Sequence, residues 1–78
     1  MLDPRLLVII SDVFGVPPEE ITAGSGPETI ADWDSVGHLK LVLQVEEEFG
    51  VRFPVSDIPK LVSAGQIQEA LDRLRLTG

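Results

Sequence analysis

Ser35 and His38 stand three residues apart at the start of a predicted helix, the one place where this sequence hints at covalent chemistry. A serine nucleophile needs a base within hydrogen-bond reach and a third group to orient that base. The sequence supplies no third group, and the Gly-x-Ser-x-Gly elbow is absent. A bundle of 78 residues also has little room for an enclosed pocket. His38 therefore reads as a surface histidine near a helix start. Metal chemistry fares no better, because one His and no Cys cannot build the common zinc sites. Glu46, Glu47 and Glu48 project at successive angles of about 100° and do not converge on one ion. Ser35 keeps two readings. Serine is among the preferred N-cap residues. The first-turn N–H groups and the positive end of the helix dipole also make this a place for a phosphate. A phosphodiester on Ser35 would be well received there, on a hydroxyl that a modifying enzyme can reach.

Three main helices must position that serine. Asp3 as N-cap and Pro4 at the first helical position open the first. Leu6, Ile9, Ile10, Val13 and Phe14 form its apolar face, Val8 lies opposite, and Gly15 stops it. Residues 16–33 read as a long connection, broken by Pro17, Pro18, Gly24, Gly26 and Pro27. Ile21, Ile30 and Trp33 are its anchors: they either cover the core or serve a function of the loop. The second helix runs from Asp34 or Ser35 to Phe49 and closes at Gly50. Leu39, Val42, Val45 and Phe49 make its predicted core stripe, with Leu41 at the margin. Val36, Lys40, Leu43 and Glu47 follow one another on the other side, so Val36 and Leu43 are either core edge or a partner-facing patch. Gly37 in the first turn costs about 1 kcal/mol relative to Ala. Gly37→Ala is therefore expected to raise stability and to alter transfer at Ser35. Pro54 and Pro59 limit any helix between Val51 and Val62 to one or two turns. Ser63 with Gln66 matches a capping box for the last helix, whose face is Ile67, Ala70, Leu71 and Leu74. Glu69 and Arg73 form an i,i+4 pair on it. No segment alternates like a strand. The expected fold is all-α: a small four-helix bundle of three main helices and one short one, with a long first loop, as a single domain over 1–78.

Composition narrows the partners. Thirteen Asp and Glu against six Lys and Arg give a net charge of −7. Six scattered basic residues make no footprint for nucleic acid or for an anionic membrane surface. An acidic surface favours basic protein partners. The longest apolar run, Leu6 to Ile10, falls far short of the roughly 20 residues of a membrane span, and no signal-peptide layout is visible. With no Cys the chain has no disulfides, which fits the cytoplasm.

The chain as a whole resembles the acyl carrier proteins. The resemblance rests on Phe14-Gly15-Val16 at the end of the first helix, the long loop, Asp34-Ser35-Val36, and Glu46-Glu47-Glu48-Phe49-Gly50-Val51. It implies that Ser35, with Asp34 beside it, carries a phosphopantetheine arm donated by coenzyme A through a phosphopantetheinyl transferase. It also implies a non-catalytic, monomeric shuttle that holds acyl groups as thioesters on the arm's thiol. The working thiol would then come with the cofactor, consistent with the absence of Cys. The family's recognition helix maps to Val36, Lys40, Leu43, Glu46 and Glu47. The expected partners are acyl-loading and acyl-transfer enzymes with basic docking surfaces.

This sequence departs from the family pattern at three places. Val36 replaces the usual Leu, Gly37-His38 stands where an acidic residue is common, and Lys40 interrupts the acidic strip. Trp33-Asp34-Ser35-Val36-Gly37-His38 is more similar to stand-alone carriers of secondary or surface-polymer pathways. Met1 close to the first helix and the absence of linkers also favour a stand-alone chain. An aminoacyl or peptidyl carrier, including a D-alanyl carrier, uses the same arm and stays open as an alternative. So does an acidic helical interaction domain that carries no arm.

Overall fold

Asp3 accepts the Arg5 N–H at 2.8 Å and Pro4 takes the first helical position, so α1 spans Pro4–Phe14. In the computed structural model, which describes the backbone of residues 2–77 and the side chains of 2–75, two longer helices follow. They are α2, Ser35–Phe49, and α3, Ala64–Thr77. α1 and α2 each end on a glycine in the left-handed region, Gly15 at φ 67° and Gly50 at φ 64°. Two 3-10 segments lie between the helices, Pro18–Glu20 in the first loop and Val55–Lys60 before α3. The second covers two turns of the tighter helix, which tolerates Pro59. The all-α bundle of three main helices and a short segment before α3 is as expected; the turn at Pro18–Glu20 in the first loop is additional.

The core joins Leu6, Ile10 and Phe14 of α1 with Leu41, Val42 and Val45 of α2 and Ile67 and Leu71 of α3. Ile21, Ile30 and Trp33 of the first loop are buried in it, Trp33 to 1% exposure. These three anchors explain how a long loop without much secondary structure stays down. The loop is also pinned to the start of α3. Ala64 N–H donates to the Ser25 carbonyl and Gly65 N–H to the Ala23 carbonyl, both at 2.9 Å. Those bonds satisfy first-turn donors that have no partner within the helix. The Ser63 hydroxyl accepts the Gln66 N–H at 3.2 Å, and the Gln66 side-chain oxygen reaches back to the Val62 N–H at 3.0 Å. The predicted capping box is present, with its return bond one residue earlier than expected.

The face of α2 that enters the core differs from the periodicity reading. Leu39 is 55% exposed, whereas Leu41 is fully buried. The core side consists of Gly37, Leu41, Val42 and Val45, with Phe49 partly buried beside it. The helix contains two apolar stripes about half a turn apart, and single-chain periodicity does not choose between them. Packing against Phe14 and Trp33 does, because it requires the glycine side of the first turn to face inward. Phe49 completes the far end of the bundle, where the Arg5 guanidinium lies 4.3 Å from its ring centroid.

Candidate functional site

Asp34, not Ser35, caps α2. Its carboxylate accepts the Gly37 N–H at 2.8 Å, and its carbonyl accepts the His38 N–H at 2.8 Å. Ser35 is the first helical residue, exposed, with its hydroxyl in no hydrogen bond among the described residues. The two sequence readings of the serine are thereby separated: capping belongs to its neighbour, and the hydroxyl is uncommitted. The Ser35 and Val36 N–H groups lie in the first turn, where the helix supplies no acceptor. Removing the cap should loosen this turn. Asp34→Ala is expected to cost about 1 kcal/mol of stability, read as a lower denaturant midpoint.

His38 departs from its expected place at the surface. It is half-buried, and both ring nitrogens are engaged. The Trp33 indole N–H donates to Nδ1 at 3.0 Å. Indole nitrogen is only a donor, so Nδ1 is the acceptor and the proton sits on Nε2. Nε2–H then donates to the Ile58 carbonyl at 2.7 Å. Trp33 in turn stacks on Phe14, with ring centroids 5.1 Å apart. His38 is thus a strut linking α2, the first loop and the second 3-10 segment. It has no nitrogen to spare as a base for Ser35, and the serine–histidine dyad is not assembled.

Gly37 is a point of close approach. A Cβ there would collide with the Asp32 carbonyl oxygen and come within 2.8 Å of Phe14 Cε1. The expectation that Ala at this position stabilises the protein is corrected by that contact. Helix propensity favours Ala, but the neighbouring backbone leaves no room for it.

The predicted partner surface is partly rearranged. Val36 and Leu43 are 62% and 63% exposed, and Leu39 lies exposed between them, so the apolar stripe contains one residue more than the sequence suggested. Lys40 and Glu47 are exposed on the same side. Glu46 is not presented in the same way: it is half-buried, and its Oε2 accepts the Phe53 N–H at 2.7 Å. That bond fastens the chain after the Gly50 turn. Glu48 lies 3.9 Å from Arg5 across the α1–α2 groove. Of the three consecutive glutamates, Glu47 alone is exposed and in neither contact. The sequence held no signal for this, since the partners come from Phe53 and α1.

The bundle, with an exposed serine at the head of its second helix, has the layout that the resemblance implied, and comparison with known proteins supplies the class. The family model described as "Phosphopantetheine attachment site" matches residues 4–71. The chain belongs to this family, that of the acyl carrier proteins, and its prosthetic group is phosphopantetheine. It is 29% identical over 70 residues to an acyl carrier protein of Rhodococcus erythropolis, covering 90% of this chain and 77% of the relative. It is 29% identical over 69 residues to the meromycolate extension acyl carrier protein of Mycolicibacterium aurum, covering 88% and 71%. It also matches 3-methylorcinaldehyde synthase of Talaromyces stipitatus at 32% identity over 63 residues, 81% of this chain but 2% of that protein. No helix among the described residues is long and apolar enough to cross a membrane.

Proposed function

We propose that Ser35 is the attachment point of the phosphopantetheine arm and that the protein is a non-catalytic carrier of acyl groups between partner enzymes. The observation that carries this reading is the exposed, uncommitted Ser35 hydroxyl at the first residue of α2, with capping done by Asp34. The residues present suit the group. The Ser35 and Val36 N–H groups belong to the first turn of α2, and a phosphodiester on Ser35 would lie at the positive end of that helix. When bound, the arm supplies a terminal thiol on which acyl groups are held as thioesters. Asp34 fixes the first turn, so Ser35 stands at a defined angle to the stripe of Val36, Leu39 and Leu43. That stripe, flanked by Lys40 and Glu47, is the surface for a phosphopantetheinyl transferase and for acyl-loading and acyl-transfer enzymes. The relatives named for meromycolate extension support a fatty-acyl type of pathway.

Incubation with coenzyme A and a broad-specificity phosphopantetheinyl transferase tests the reading. The expected result is the mass gain of one arm, located by peptide mapping at Ser35. No gain, under conditions that load a known carrier, overturns it. Partner docking has its own test. Glu47→Lys should slow loading by a basic transferase and flatten the dependence of the rate on salt, because screened long-range attraction is lost. Glu46 is unsuitable for that experiment, since its replacement would also release Phe53. An unchanged rate across a salt series would remove Glu47 from the docking surface.

A further inference from the structure

Ser35 stands on the rim of an apolar depression. Pro27 of the first loop and Pro59 and Val62 ahead of α3 wall it, with Trp33 and His38 beneath. Its one charged lining residue among those described is Asp34, whose carboxylate is turned to the Gly37 N–H. Both ring nitrogens of His38 are engaged, by Trp33 and by Ile58, so that ring offers an occupant apolar contact and no hydrogen bond. Trp33 is fixed from below by its stack on Phe14. Val62, 49% exposed, has apolar surface left to cover. A second apolar groove lies between α1 and α2, lined by Val8, Leu43 and Gln44 among others. Gln44 comes nine residues after Ser35, which at 3.6 residues per turn puts it about 180° away around α2. That groove therefore opens on the other side of the helix from the depression at Ser35.

We propose that this depression is the resting seat of the first part of the phosphopantetheine arm. This rests on the reading of Ser35 as the attachment point. Beyond its phosphodiester the arm has one CH2 and then a carbon bearing two methyls, which is its first and bulkiest apolar group. Tethering brings those methyls to the concave apolar surface that Ser35 itself borders. Against Pro27, Pro59 and Val62 they leave water, and a concave surface covers more of them than the convex stripe of Val36 and Leu39. The hydroxyl and amides that follow in the arm stay in water. The seat therefore holds by apolar contact alone and releases the arm when a partner offers more. It also points the resting arm toward the first loop and the Val55–Lys60 segment. Lys40, Leu43 and Glu47, which line the groove toward α1, are thereby left clear for docking.

The test loads the protein by a transferase from coenzyme A labelled with carbon-13 in those two methyls. Attachment at Ser35 is verified by mass and peptide mapping. Absence of loading there defeats the attachment reading and is recognised at that stage. With loading verified, the labelled methyls should show nuclear Overhauser contacts to the Val62 methyls and to the ring of Pro27 or Pro59. Their signals should move from their positions in free coenzyme A, because the Trp33 and His38 rings lie beneath. On loading, the amide signals of His38 and Val62 should shift and those of Val8 and Gln44 should not. Methyl signals at the free-coenzyme positions, without contacts to the protein, overturn the proposal. Contacts to Val8 or Leu43 instead overturn it too, since they place the arm in the groove toward α1. Val62→Ser removes one wall at an exposed position; it should load fully, lose most of the contacts and return the methyl signals toward the free positions. Val8→Ser, across α2, should change neither. A Val62→Ser protein with undiminished contacts and unmoved methyl signals shows that the seat lies elsewhere. Pro27→Ser makes the same test from the first loop, and should either variant fail to fold, the contacts in the parent protein decide.

Discussion

A Ser35→Ala variant is expected to gain no mass from coenzyme A and transferase, yet to melt with the parent protein. Both halves of this result follow from the division of labour at the head of α2. The Ser35 hydroxyl is exposed and has no hydrogen bond among the described residues, so its removal strands no polar partner there. The cap is the Asp34 carboxylate on the Gly37 N–H, which the substitution leaves alone. A surface change of this kind shifts stability by no more than about 0.5 kcal/mol in either direction. Loading, by contrast, has no second hydroxyl to use at this position. Intact-mass spectrometry and a thermal melt check the two halves on one sample. A variant that still takes up one arm would place the attachment elsewhere. A variant that melts far below the parent would make Ser35 a structural residue after all.

Gly37→Ala is expected to have the second large effect, opposite in sign to what helix propensity alone dictates. Propensity favours Ala by about 1 kcal/mol. The added methyl would collide with the Asp32 carbonyl oxygen and lie 2.8 Å from Phe14 Cε1. Overpacking of this kind costs typically about 1–3 kcal/mol. In a domain of this size each kcal/mol lowers the melting midpoint by about 4–8 °C. The obstacle is backbone and a stacked ring, neither of which yields like the end of a flexible side chain. Movement of Asp32 would carry Asp34 and Ser35 with it, so arm loading should slow as well. Thermal melts and loading rates measure the two effects. A Gly37→Ala protein more stable than the parent would show that the first turn has slack the structure does not record.

Local signals made much of the fold legible. Asp3-Pro4, Gly15, Gly50 and Ser63 with Gln66 each mark a helix end through bonds that span only a few residues. Ile21, Ile30 and Trp33 stood out as the apolar anchors of the loop, and all three are buried. Ser35 was legible as a candidate because its motif is local. Its two readings were separated only when Asp34 was found in the capping bond.

Leu39 and Leu41 show where such reading ends. Both belong to plausible apolar stripes, and the rotation of α2 that buries one and exposes the other follows from contacts with α1 and the first loop. Glu46 and His38 show the same limit for polar groups. Each was read from its own helix as a surface residue, and each is held by a backbone group that only the fold brings near: the Phe53 N–H and the Ile58 carbonyl, the latter 20 residues away.

The helices, their ends, the apolar anchors and the serine at the head of α2 were readable from local sequence, because each depends on groups within about a turn of one another. Packing between segments set which face of α2 is core, why residue 37 must lack a side chain, and how His38 is tied to Trp33 and Ile58. Those outcomes depend on carbonyl oxygens and rings that arrive from other segments, and steric fit between segments is not encoded in the periodicity of any one of them.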